Sequence, residues 1–318
     1  MDSKNVDKKD FRNYVKFFWV FILSIPVTII IILLLVGLEA FGKLPSTEEI
    51  VNPKSYLATE VLSSDGNQIG TFFHENRVHV EYNDLPSNLI EALIATEDER
   101  FLEHSGIDFR SLTRAFVTLG SNGGGSTITQ QLAKLMFTPD PARGFILRVL
   151  QKLKEWVIAL QIENKYTKQE IITMYLNKFD FLYQAVGIYS ASNVYFGKTP
   201  NELTIEESAM LIGMCKNPSY YNPAREKRFK LSLDRRNTVL RQMGRNNYIS
   251  KNTLDSLISL PLVLNFNPQG HDKGLAPHLR ENIRAYMKDW ISSNPKANGD
   301  HYNLYTDCLL YTSDAADE

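Results

Sequence analysis

Apolar positions fall into three patterns along the chain. From Phe17 to Leu38 they are nearly continuous, and "FFWVFILSIPVTIIIILLLVGL" carries no charge. Its length matches the roughly 20 apolar residues a helix needs to cross a bilayer. From Leu57 to Tyr82, apolar and polar residues alternate around Asp65-Gly66, the pattern of a β-hairpin. From Pro86 almost to the end, apolar residues recur with the three-four-seven spacing of helices that bury one face. Thr167 with Glu170, and Thr204 with Glu207, have the spacing of capping boxes and should open two of those helices. The pattern predicts a mainly helical globule, a small β element before it and one transmembrane helix before that. No internal repeat interrupts it.

Composition narrows the classes. With 318 residues, 43% of them hydrophobic, the chain can build a substantial core. A net charge of −1 leaves no basic footprint, so nucleic acid is not an expected partner. Cys215 and Cys308 make neither a disulfide framework nor a metal site, and Cys215, closing "AMLIGMC", reads as a small buried residue. Lys4, Lys8, Lys9, Arg12 and Lys16 precede the apolar run, diluted by Asp2, Asp7 and Asp10. That bias predicts a cytoplasmic tail at 1–16, an anchor at 17–38 and an exported remainder: a single-pass protein of the cytoplasmic membrane. The competing reading is a cleaved signal peptide, but the run is long for one and lacks a small-residue cleavage site. The last eleven residues, "CLLYTSDAADE" (308–318), look foreign, like one frame of a sequencing-library adapter, so that the natural chain would continue past Asp307.

Candidate chemistry begins at "EALIATEDERFLEHSGID" (91–108). If Leu89 to Phe101 is helical, Ile90, Leu93, Ile94 and Phe101 form one stripe, and Glu97 falls inside it while Asp98 and Glu99 do not. A carboxylate facing apolar packing is a candidate for proton transfer near neutral pH. The alternative is a frayed helix end with all three acids in water.

At "SNGGGSTITQQLAKLMF" (121–137) a glycine-rich turn leads into a helix. Amides at such a start attract anions, and Ser126, Thr127, Gln130 and Lys134 add donors that suit a pyrophosphate; the alternative is an ordinary loop closed by an N-cap. The next helix, "FILRVLQKLKEWVIALQIE" (145–163), should bury Ile146, Val149, Leu150, Leu153, Val157 and Leu160, leaving Arg148, Lys152, Glu155 and Ala159 on a second line. A Lys152–Glu155 pair there is either a solvated surface pair or one wall of a cleft.

Taken in order, "EDERFLEHSG" (97–106), "GGSTITQQLAK" (124–134), "QKLKE" (151–155), "KQEIITMYLN" (168–177) and "RRNTVL" (235–240) resemble the peptidoglycan glycosyltransferase family. This is the transglycosylase domain of class A penicillin-binding proteins and of monofunctional transglycosylases. "GIYSASNVYFGK" and "NPSYYNP" also look like the family. The resemblance spans about residues 57–245 and places the domain at 57–250, with 251–307 similar to the linker toward a transpeptidase domain.

The resemblance implies a lysozyme-like, mainly helical fold that polymerises lipid II, with Glu97 as general base, inversion at the anomeric carbon and undecaprenyl pyrophosphate leaving. It implies a second essential acid at Glu155, acting either through a divalent metal (Mg or Mn) or by orienting Lys152. It casts Ser126, Thr127, Gln130, Gln131, Lys134, Lys152 and Arg236 as phosphate- and substrate-positioning groups. Asp98, Phe101 and His104 would shape the cleft around the base. No organic cofactor is implied. The partners would be lipid II, nascent glycan strands, the membrane and other proteins of cell-wall synthesis. Gln151, where the family usually has Arg, and Leu135, where it often has Asn, depart from the pattern, and Arg148 could supply the missing cation. A membrane-anchored glycan hydrolase would also use a glutamate in a sugar cleft, but has no pyrophosphate to hold. A scaffold without catalysis would have no need of Glu97, Glu155 and Lys134.

Overall fold

The computed structural model describes residues 8–51, 59–62, 68–72, 79–118, 124–268, 277–294 and 310–311. Helix α1 (Lys8–Gly37) is 30 residues long, about 45 Å at 1.5 Å per residue, and most of its large apolar side chains are exposed. Among the described residues no helix is long and apolar enough to cross a membrane. The side chains at 25, 26 and 29 lie inside the apolar run and outside the described set, so the described residues alone leave the run interrupted. A short helix, α2 (Thr47–Val51), follows, and Tyr166 donates its hydroxyl to the Ile50 carbonyl at 2.8 Å.

The expected hairpin is present as strands β1 (Thr59–Leu62) and β2 (Gln68–Phe72), antiparallel with Thr59 opposite Phe72 and an irregularity between Val61 and Leu62. Its turn at Asp65-Gly66 lies outside the described residues. A two-residue strand, β3 (Leu310–Tyr311), pairs in parallel with Val61 and Leu62, giving the order β2-β1-β3.

The body is helical: α3 (Ser87–Glu97), α4 (Phe109–Val117), α5 (Ile128–Phe137), α6 (Phe145–Glu163), α7 (Lys168–Lys178), α8 (Ile188–Phe196), α9 (Ile205–Cys215), α10 (Glu226–Arg245) and α11 (Lys251–Ser259), with α12 (Pro277–Ser293) beyond. Both predicted capping boxes form, Thr167 opening α7 and Thr204 opening α9. Helix α3 packs against α9 and α10, while α5 packs against α6 and α7. One core of Leu, Ile, Val and aromatic side chains runs through both groups. Asn177 at the end of α7 holds the chain entering from the β element, accepting from Val80 N at 3.1 Å and donating to Val80 O at 2.9 Å. The packed body continues past residue 250. Leu262 is buried, and the amides of Asn265 and Asn267 donate to the carbonyls of Tyr195 and Val194 at 3.0 and 2.8 Å.

Candidate active site

Helix α3 ends at Glu97, four residues sooner than the apolar spacing predicts, because Asp98 leaves the helical conformation at φ −158°. Glu97 thus stands at the tip of a helix, where α3 meets α5 and α10. Its Oε2 accepts from Gln131 Nε2 at 3.0 Å, and its Oε1 lies 3.3 Å from Arg235 Nη2, with the two charged side chains 13% and 10% exposed. The carboxylate is therefore neither wet nor faced only by apolar groups; it is enclosed between an amide and a guanidinium. Spacing within α3 correctly points Glu97 inward but carries no information about donors brought from 34 and 138 residues away.

Asp98, expected outside the buried stripe, is buried, because it serves the next segments. Its Oδ2 accepts from the backbone N of Ile128 at the start of α5, at 3.0 Å, and both oxygens lie 3.0 Å from His104 Nε2. His104 Nδ1 accepts from Gly106 N at 3.2 Å, which fixes the imidazole proton on Nε2 and makes His104 the donor. Gly106 has φ +89°, and a Cβ there would sit 3.1 Å from the Ala159 carbonyl oxygen of α6. The Gly106 carbonyl accepts from Thr127 Oγ1 at 2.7 Å and from Gln130 Nε2 at 3.2 Å. Thr127 is also the N-cap of α5, its hydroxyl accepting from Gln130 N at 3.2 Å.

These contacts correct the expectation of an open anion cradle. The Ile128 and Gln130 amides are taken by Asp98 and Thr127, so the carboxylate attracted to this helix start is the protein's own. Thr127 and Gln130 are buried as structural groups, and Phe101, at 0% exposure, packs in the core under Lys168, whose Nζ lies 4.3 Å from the ring centroid. All three side chains are enclosed by the protein, Thr127 and Gln130 through their bonds to the Gly106 carbonyl. Ser126 stays partly exposed and Lys134 exposed on α5, with no ion-pair partner for Lys134 among the described residues.

Helix α6 reverses its expected faces. Glu155, Ile158, Ala159 and Ile162 are buried, while Ile146, Val149 and Leu160 are exposed, as are Phe145 and Leu147. Both stripes have helical spacing, and tertiary packing against α5 chose the one that holds Glu155. Glu155 is 4% exposed; its Oε2 accepts from Lys152 Nζ at 2.9 Å, and Thr138 Oγ1 lies 3.5 Å from Oε1. Among the described residues no group of three or more His, Cys, Asp or Glu side chains could hold a metal ion. A lone carboxylate already paired with a lysine is a poor donor set for a hard divalent cation. Gln151 accepts from Ala142 N at 2.7 Å and donates to Thr138 O and Asp140 O at 3.1 and 3.2 Å, pinning the α5–α6 connection. Arg148 Nε donates to Ala142 O at 3.2 Å, so both side chains bind the same loop.

Arg236, expected at a phosphate, is fully buried on α10 and donates to Leu260 O at 2.8 Å and to Asn237 Oδ1. It shares the stripe of Ser232, Val239, Leu240 and Met243, so helical phase already placed it inside; the member of the pair that meets Glu97 is Arg235. Arg235 also lies 5.7 Å from the Tyr221 ring centroid. Behind Gln131 sit Tyr175, whose hydroxyl donates to Gln131 Oε1 at 3.1 Å, and Cys215. Burial first, and the charge of Glu97 after it, push the Cys215 thiol far above its usual range, so it stays protonated.

A transglycosylase family profile matches residues 65–244. The chain is similar to "Penicillin-binding protein 1A" of Haemophilus influenzae, 38% identical over 79% of this chain and 29% of that protein. It is also similar to "Penicillin-binding protein 1A" of Escherichia coli, 33% identical over 87% of this chain and 32% of the relative. A crystal structure of the Haemophilus influenzae protein matches at a TM-score of 0.43 and 26% identity, covering 78% of this chain and 26% of that one. The chain thus spans less than a third of the length of these relatives. With more than half of its residues matched, the chain belongs to the transglycosylase family.

Proposed function

We propose that this chain polymerises lipid II into glycan strands, as a peptidoglycan glycosyltransferase of cell-wall synthesis. Glu97 takes the proton from the acceptor sugar's 4-hydroxyl, the freed oxygen attacks the anomeric carbon of the growing chain, and undecaprenyl pyrophosphate leaves with inversion. The observation that carries this reading is the seat of Glu97: a carboxylate 13% exposed, fixed by Gln131 and within reach of solvent at a helix end. Lys134 and Lys152, with Ser126, supply charge and donors for the departing pyrophosphate, and Glu155 acts by orienting Lys152 rather than through a metal.

Residues 17–38 serve in this reading as a single-pass anchor with 1–16 in the cytoplasm and a lysozyme-like catalytic body outside. The exposed apolar start of α6, with Phe145 at 83%, would lie at the membrane surface beside the polyprenyl substrate. The stretch from 251 to 307, whose first part packs on the body, would lead toward a transpeptidase domain. Nascent glycan strands, the membrane and other wall-synthesis proteins are the partners, and nucleic acid is not.

Glu97→Gln tests the proposal, because the amide keeps size and polarity but accepts no proton. A positioned base contributes about 10² to 10⁴ in rate, so polymerisation of lipid II should fall by that factor while the melting temperature holds. Near wild-type polymerisation would remove Glu97 from the mechanism.

A further inference from the structure

We infer that Tyr175 is a positioning residue for Glu97, acting through Gln131 without touching substrate; this rests on the reading of Glu97 as the base. Three groups stand in line. Tyr175 on α7 is fully buried, and its hydroxyl donates to Gln131 Oε1 at 3.1 Å; Gln131 Nε2 then donates to Glu97 Oε2 at 3.0 Å. The directions in this line are chemically forced. An ionised carboxylate only accepts, so the amide must present its nitrogen to Glu97 and its oxygen to Tyr175, and the phenol must donate. Burial first, then the charge of nearby groups, hold the phenol far above its usual range, so it remains a donor at every working pH.

The consequence is a division of labour between the two carboxylate oxygens. Oε2 is tied to a neutral amide that cannot rotate, because its other end is locked in the core. Among the described residues Oε1 meets Arg235 alone, at 3.3 Å, a long contact from a guanidinium that also donates to Gly213 O at 3.3 Å. Oε1 is therefore the oxygen that a substrate hydroxyl can claim. Without the Tyr175 hydroxyl the Gln131 amide oxygen loses its anchor in the core, so the amide is free to twist and no longer holds the Glu97 carboxylate in line.

The test uses the full chain in detergent with lipid II as substrate. Tyr175→Phe should lower kcat about tenfold to a hundredfold, the scale of a small misplacement of a reacting group, while KM stays within about twofold. Gln131→Met removes the amide. In that background Tyr175→Phe should change kcat by less than about twofold, since the hydroxyl has nothing left to orient. Unchanged kcat for Tyr175→Phe, equal changes in kcat and KM, or full additivity with Gln131→Met would each overturn the inference. Comparable melting temperatures keep loss of folding out of the comparison. The outcome is separable from the base assignment: an inactive Glu97→Gln with a fully active Tyr175→Phe rejects this inference alone, and an active Glu97→Gln rejects both.

Discussion

Replacing Asp98 with alanine removes a carboxylate whose side chain is 3% exposed and which completes the first turn of another helix. Two donors lose their acceptor: the buried Ile128 amide and His104 Nε2, each at 3.0 Å. A hydrogen bond to a charged group contributes about 1.5–3 kcal/mol, and a carboxylate at a partly buried helix start up to about 2 kcal/mol. These describe overlapping interactions with one group, so the expected loss is about 2–4 kcal/mol rather than their sum. For a domain of this size each kcal/mol lowers Tm by about 2–4 °C, which gives a fall of about 4–16 °C. Asn at the same position keeps one acceptor oxygen and should lose roughly half as much. Scanning calorimetry of the full chain in detergent measures both. If Asp98→Ala melts within a degree of the wild type, the helix start is satisfied by something else, and Asp98 is available to act on substrate after all.

Two further outcomes follow from neighbouring geometry. Burial alone would raise the Asp108 carboxyl, but bonds from Arg100 and from the Ser111 hydroxyl and amide bring it down to about 2. The unfolded chain, titrating near about 3.9, then binds the proton first. The contribution of Asp108 is thus complete above about pH 4 and drains away as pH falls toward 2; urea titrations of Asp108→Asn should show a flatter decline across that window, and a slope equal to wild type would refute the pairing. Gln151→Ala should expose the Ala142 amide, now held at 2.7 Å, and hydrogen exchange there should quicken about tenfold or more. Gln151→Arg removes the same acceptor and should do likewise.

The elements themselves were largely legible, because helix period and capping chemistry are local. Thr167 and Thr204 open helices where the Ser/Thr-x-x-Glu spacing says they do, and the strands flank Asp65-Gly66. Which face of a helix turns inward was not always legible. On α6 two lines of residues have equal helical spacing, and only α5 lying against one of them decides for Glu155 over Ile146 and Val149. The partners of charged groups were least legible. Nothing near Asp98 in the chain announces that it closes a helix beginning 30 residues later, or near Glu97 that Arg235 will reach it from α10. Arg236 is the instructive exception, since its phase with Val239, Leu240 and Met243 marked it as interior while motif matching drew it outward.

Gly106 bears on how loss-of-function variants in this domain should be interpreted. It sits between His104 and the start of α5, its carbonyl receives Thr127 and Gln130, and the space where a side chain would go is filled by the backbone of α6 at Ala159. Even alanine there would strain a left-handed backbone and wedge apart the helices that carry Lys134 on one side and Glu155 on the other. A mutational screen scored by growth alone would rank such a variant with Glu97→Gln and invite a chemical role for a residue that has no side chain. Pairing each activity score with cellular abundance separates the two, because the glycine variant should be depleted by quality control while Glu97→Gln accumulates as a folded, inert protein.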